Sequence, residues 1–302
     1  MSNLTSKDLY GSMTALVTPM QKDGQVDYVK WEKLIYWQIK SSIKAIVVAG
    51  TTGESALLNN HEFQRLLKIA VTCCENTKTK VIAQTGHINA DEVIICNRQA
   101  YEIGAQAVLV VTPYYMRTTQ EGLESHFTKI ANNSLLPIIL YNVPSRTHND
   151  MLPKTTASLA LHPMIIGIKE ASSDKNRVNE LLKYTPKGFA ILSGNDDTFV
   201  QSMQQGATGV ISVASNVRPL AINEICTLLA LGDVISAKKL NSSLDNLFKM
   251  LSCQPNPIPV KYLLHEAGLI DQGIRLPLVW LEKNTSGTKQ ELKHIIKEYS
   301  DL

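Results

Sequence analysis

Five cysteines among 302 residues, an odd number with no C-x-x-C pair, leave no basis for a disulfide framework or a zinc knuckle. No stretch reaches the roughly 18 apolar residues of a membrane span, and the opening "MSNLTSKDLYGSM" has no apolar core of a secretory signal. Excess charge is also lacking. Thirty Lys+Arg stand against 27 Asp+Glu, a net charge of +3, and no Lys/Arg-rich run marks a nucleic-acid surface. The seven histidines form no H-E-x-x-H, since "HEFQR" at 61–65 has no second histidine. No G-x-G-x-x-G or Walker loop follows the early apolar runs, and "AGTTGES" (49–55) has no lysine to reach phosphates. These absences point away from metal catalysis, nucleotide loops, nucleic acid and membrane, and toward a reducing cytoplasm.

What is present is a globular composition, 44% hydrophobic and 19% charged, with a rhythm of short apolar runs. They lie at 12–19, 44–50, 80–86, 106–113, 137–144, 164–171, 189–194 and 208–215. Between most of them run amphipathic stretches. In 61–76, Phe63, Leu66, Leu67, Ala70 and Val71 repeat at helical spacing; 91–105 opens on acidic residues and carries Gly104 near its end. Eight strands apolar on both faces, alternating with helices, predict an all-parallel sheet covered by helices, and eight is the number that closes a (β/α)8 TIM barrel. An open doubly wound sheet is the competing architecture, but its phosphate loop is missing. Past residue 218 the segments 219–231, 234–252, 259–268 and 288–299 read as helices. The expected organisation is therefore a barrel over 1–218 and a C-terminal helical region over 219–302.

In such a barrel chemistry sits at the C-terminal ends of the strands. That rule gathers Thr18, then Thr51, Thr52 and Glu54, then Thr112, Tyr114 and Tyr115. It adds Tyr141, Asn142, Ser145 and Arg146, then Lys169 and Glu170, and finally Ser193, Gly194 and Asn195. The odd member is Lys169, an ammonium closing the buried run "MIIGIK" (164–169). A lysine partly desolvated in a pocket gives up its proton more easily and becomes an amine nucleophile. Strands five and six should be neighbours, about 4.8 Å apart, which puts the Tyr141 phenol near that amine. Arg146 offers a planar fork for a carboxylate or phosphate, and "GTTGES" a cradle of hydroxyls and N–H groups for a small anion. Each residue alone has an ordinary structural reading, a packed tyrosine or a surface arginine; their joint placement is the signal. "GNDDT" (194–198) reads as a helix N-cap in which Asp196 or Asp197 accepts from the first turn.

In order and spacing, "GTTGES", "TPYY" (112–115), "YNVPSRT" (141–147), "GIKEAS" (167–172), "GVISV" (209–213) and "PNPIPVK" (255–261) resemble the dihydrodipicolinate synthase (4-hydroxy-tetrahydrodipicolinate synthase) family. That family belongs to the pyruvate-dependent class I lyases. The likeness runs from "ALVTPM" (15–20) to "RLPL" (275–278). It implies condensation of pyruvate with L-aspartate 4-semialdehyde, the first committed step of lysine and diaminopimelate biosynthesis, with no metal or organic cofactor. It further implies that Lys169 forms the imine and Tyr141 moves protons beside it, linked through Thr51 to Tyr115, a tyrosine lent by a neighbouring subunit. Thr52 would hold the pyruvate carboxylate, Arg146 that of the semialdehyde, and Gly194 and Ile211 would line the pocket floor. The family is usually a homotetramer, a dimer of tight dimers. His148 departs from the pattern, standing where glycine is common.

Sibling lyases acting on N-acetylneuraminate or 2-keto-3-deoxy sugar acids share the lysine and the Y-N-x-P run, but not in general the "SRT" that carries Arg146. A silent metabolite-binding barrel should have lost the lysine or the tyrosine. In feedback-inhibited relatives lysine binds at the dimer interface. Of the matching positions, Ser55, Ala56, Glu92 and Tyr114 are kept here, while Asn60 and Phe63 replace two histidines and Ile88 replaces an asparagine. The resemblance therefore implies weak lysine inhibition or none.

Overall fold

The computed structural model describes residues 3–281 and 288–301; residues 282–287 of the expected C-terminal helical region lie outside the described residues. Eight parallel strands form a closed barrel in chain order. They are β1 (Gly11–Ala15), β2 (Ala45–Val48), β3 (Lys80–Gln84), β4 (Ala107–Val111), β5 (Ile138–Asn142), β6 (Ile165–Glu170), β7 (Ala190–Ser193) and β8 (Gly209–Ser212). Seven of the eight expected apolar runs contain a whole strand, and β1 begins one residue ahead of its run at 12–19. The physical reason is visible in burial, for all residues of β2 and β4 to β8 are buried, as strands covered on both faces must be. Each fully buried Val, Leu or Ile there contributes about 1.5–3 kcal/mol relative to exposure.

The helices are α1 (Tyr28–Lys40), α2 (Asn60–Cys74), α3 (Ala90–Ile103), α4 (Gln120–Asn132), α5 (Pro144–Thr147), α6 (Pro153–Leu159), α7 (Arg177–Tyr184) and α8 (Phe199–Gln205). After the last strand come α9 (Pro219–Ala230), α10 (Val234–Ser242), α11 (Asp245–Leu251), α12 (Ile258–Glu266) and α13 (Thr288–Ser300). Local chemistry sets their ends. Asn59 and Glu62 close a reciprocal capping box on α2, and Gly104 ends α3 in the left-handed conformation at φ 103°. The buried stripe of α2 is Leu66, Leu67, Ala70, Cys73 and Cys74; Phe63 and Val71 are only half-buried. Two expectations are corrected. The single helix read over 234–252 is two, broken at Ser243 and Leu244. The cap read into "GNDDT" does not form, because the N-cap position of α8 falls on Thr198 and no side chain caps it.

The chain falls into two compact units, Met1–Gly11 with Val81–Ile211, and Ser12–Lys80 with Ser212–Leu302. In the first, Asn97 on α3 receives the Thr85 hydroxyl at 2.6 Å, and Ser6 donates to the Ile166 carbonyl at 2.7 Å. In the second, Asn216 holds the end of β1 through the Val17 N–H and the Ala15 carbonyl. α13 is fastened there by Glu298, which accepts from Arg218 and from the Leu220 N–H, and by Tyr299 edge-on to Trp37 with ring centroids 5.2 Å apart.

Candidate active site

β5 and β6 pair in parallel with Tyr141 opposite Lys169. Both are nearly sealed from solvent, at 5% and 6% exposure. The Lys169 Nζ stands 4.4 Å from the centroid of the Tyr141 ring, so the amine lies over the face of that ring, the two side chains adjacent as their strand positions predict. Gly194, just past β7, lets the lysine pass. A Cβ there would come within 3.0 Å of Lys169 Cε and 2.6 Å of the Ala171 Cβ. Ile211 lies fully buried in β8.

The same strand ends carry a charged cluster, of which sequence reasoning gathered Asn142 and Glu170 but missed Asp150 and Arg177. Asn142 donates to both oxygens of the buried Glu170 at 3.1 Å and to Asp150 at 2.8 Å, and its own carbonyl accepts from the Met151 N–H. Arg177, at the start of α7, grips Asp150 with two parallel bonds of 2.8 Å, a bidentate geometry among the stronger charge-assisted contacts. Burial pushes the Glu170 carboxyl above its ordinary range against the pull of Asn142, Ser172 and Arg177. Burial acts on Asp150 in the same direction, but the bonds from Arg177 and Asn142 outweigh it and hold that carboxyl low. Asn142 and Glu170, gathered at sequence level as rim residues, are thus spent on fixing the strand ends that carry Tyr141 and Lys169.

Arg146 is exposed on the short helix α5. His148, directly after that helix, has φ 56°. This left-handed geometry suits a Cβ-less residue, and a histidine there costs about 1 kcal/mol. The departure from glycine is therefore a matter of backbone strain, and its ring is exposed. Tyr115 is 89% exposed and has φ 71°. Thr112, another rim candidate, has its hydroxyl bound to Thr147 at 3.0 Å.

The second unit carries Thr51 and Thr52 on the loop after β2. Thr52 is buried, and its hydroxyl accepts from Asn256 Nδ2 at 3.0 Å. Thr18 donates to the Gly53 carbonyl at 2.7 Å and so serves the loop. Glu54, in a left-handed conformation at φ 59°, forms a fully buried ion pair with Lys261 on α12, 2.5 Å apart. It also accepts from the Arg275 N–H. Burial lowers the Lys261 ammonium from its ordinary value, opposed by the Glu54 carboxylate. Arg275 in turn holds Glu62 with two bonds and reaches the carbonyls of Leu57 and Gly24. Sequence reasoning passed over Lys261, although a lysine amid the apolar "IPVKYLL" (258–264) was a usable signal.

Of the residues expected to match a lysine-effector site, Asn60 and Phe63 stand in the first turn of α2, with Ser55 half-buried and Ala56 exposed ahead of it. In the other unit, Ile88 and Tyr114 are half-buried and Glu92 is exposed.

Known proteins are similar to this chain over nearly its whole length. The model of the dihydrodipicolinate synthetase family matches residues 8–299. A 4-hydroxy-tetrahydrodipicolinate synthase of Pseudomonas aeruginosa is 45% identical over 271 residues, 90% of this chain and 92% of that protein. The crystal structure of the chloride-inhibited dihydrodipicolinate synthase of Acinetobacter baumannii, complexed with pyruvate, is similar at a TM-score of 0.90 and 41% identity. That match covers 97% of this chain and 100% of the other. A monomeric dihydrodipicolinate synthase variant gives a TM-score of 0.91 at 36% identity, covering 98% and 99%. A barrel that closes on eight strands, a buried lysine facing a tyrosine across β5 and β6, and a family match over nearly the whole length lead to one conclusion: this chain belongs to the dihydrodipicolinate synthetase family.

Proposed function

We infer that this chain condenses pyruvate with L-aspartate 4-semialdehyde to give 4-hydroxy-tetrahydrodipicolinate. The observation that carries the reading is the buried Lys169 amine, 4.4 Å from the Tyr141 ring centroid. The amine attacks the ketone of pyruvate, and water leaves as the imine forms. The cationic imine nitrogen acidifies the adjacent methyl group, a proton departs, and the enamine carbon adds to the aldehyde. The substrate's own amine then closes the ring and releases the lysine. Tyr141 is assigned the taking and returning of protons at Lys169. Thr51 is assigned the relay to Tyr115, Thr52 the pyruvate carboxylate, and Arg146 the carboxylate of the aldehyde. Gly194 and Ile211 are assigned to the pocket floor. The high exposure of Tyr115 supports its being lent to the site of a second subunit, in a homotetramer of paired dimers. No described helix is long and apolar enough to cross a membrane, which is compatible with a cytoplasmic enzyme. A coupled assay with pyruvate and aspartate semialdehyde should give turnover. Turnover of N-acetylneuraminate or a 2-keto-3-deoxy sugar acid in its place would overturn the reading.

The same assignment makes L-lysine a poor inhibitor. Asn60, Phe63 and Ile88 stand where the effector site of inhibited relatives needs two histidines and an asparagine. Each lost hydrogen bond to a charged group is worth about 1.5–3 kcal/mol, so two weaken binding by roughly two to four orders of magnitude. A lysine titration of initial rate at saturating pyruvate should show little inhibition at millimolar concentration. Half-inhibition below one millimolar would show that the remaining partners suffice.

A further inference from the structure

Tyr115 sits in an unusual turn. Its φ of 71° is rare for a bulky residue, and the Met116 N–H donates to the Tyr114 carbonyl at 2.9 Å, closing a γ-turn around it. Such a backbone persists only where its surroundings hold it. One side chain does so from another loop. Asn149, 4% exposed, donates to the Pro113 carbonyl at 2.7 Å and to the Met116 carbonyl at 2.8 Å, and accepts from the Thr118 N–H at 3.0 Å. Both amide protons and the amide oxygen are used, and they bracket the turn on either side. The anchor is itself tethered. Thr147 accepts from Thr112 just past β4 and donates to the Asn149 carbonyl at 3.1 Å; Thr147 and Asn149 both lie within the "RTHN" stretch (146–149) that begins at Arg146.

We infer that Asn149 is a positioning residue for Tyr115, holding its turn in the strained form that presents the phenol outward. The inference rests on the functional reading of Tyr115 given above. Loss of Asn149 should leave pyruvate binding at Lys169 untouched and act only through the misplaced phenol.

The test is a double-mutant cycle in the full-length protein, read by kcat, KM for pyruvate and borohydride trapping of pyruvate. Tyr115→Phe should lower kcat by about 10²-fold or more, as loss of a proton-transfer group does. Asn149→Val should lower kcat by about tenfold to a hundredfold through misplacement, with trapping at Lys169 complete and KM for pyruvate unchanged. The double variant should be no slower than Tyr115→Phe alone. Multiplied losses in the double variant, or a raised KM for pyruvate in Asn149→Val, would overturn the inference, since a general structural role predicts both. Asn149→Asp is the second variant should the valine form not fold. It keeps the shape and the bond from Thr118 but has no donors, and must show the same non-additivity. Full activity in Tyr115→Phe would instead overturn the reading of Tyr115, and the inference with it.

Discussion

Replacing Lys169 with alanine is expected to abolish covalent trapping of pyruvate by borohydride and to lower turnover by roughly 10⁴-fold or more, the scale that follows removal of a nucleophile. The residue is buried at the end of β6, opposite Tyr141 in the strand register, and Gly194 leaves room for its stem. No neighbouring residue on β6 supplies a second amine, since Ile168 and Glu170 flank it. The fold should survive. Removing the stem gives up about 0.8 kcal/mol per buried methylene, but it also relieves the desolvation of an amine. The check is an intact-mass measurement after reduction with pyruvate, beside a melting curve. A pyruvate adduct found on a different lysine of the unaltered protein would refute the assignment.

The largest expected effect on stability lies in the other unit. Lys261→Met preserves volume in α12 but strands the Glu54 carboxylate, whose ion pair with Lys261 is fully shielded from solvent. Breaking such a pair from one side costs about 3–5 kcal/mol, whereas replacing both members by neutral groups of similar shape can be nearly neutral. The Arg275 N–H still reaches Glu54, which places the expectation toward the lower end. Chemical denaturation should therefore show a large loss for Lys261→Met and recovery of most of it in Glu54→Gln/Lys261→Met. A single-variant loss below about 1 kcal/mol would show that the carboxylate finds water or another partner. Thr52 lies two residues before Glu54, so turnover of the stable double variant would show how far the loop depends on the pair.

Much of this was legible because burial leaves a mark on composition. Strands covered on both faces must be apolar, so the eight runs appear directly in the chain, and Lys169 stands out as the charge that ends one of them. Tyr141 followed from strand adjacency alone. Asn149, Asp150, Arg177 and Arg275 left no such mark. They are polar residues in or beside loops, and what makes them matter is a partner distant in sequence, such as Glu62 for Arg275 or Pro113 for Asn149. Periodicity reports which face a residue occupies, not which carbonyl its amide will meet. The helix read over 234–252 failed for a related reason, since apolar spacing continues across Ser243 and Leu244 while the backbone turns there. "GNDDT" offered two caps, Asp196 and Asp197, and composition could not show that the N-cap position would fall on Thr198 beside them.

The reach of Asn149 has a consequence for protein engineering. The turn at Tyr115 is not a portable module, because its geometry is written in two places more than thirty residues apart. A chimera that transplants residues 112–118 of this chain into a barrel with no asparagine at the position of Asn149 imports a strained turn without its brace, so recombination of this chain has to treat 112–118 and 147–150 as one block. Libraries that vary either segment alone sample mostly sequences in which the other has lost its complement.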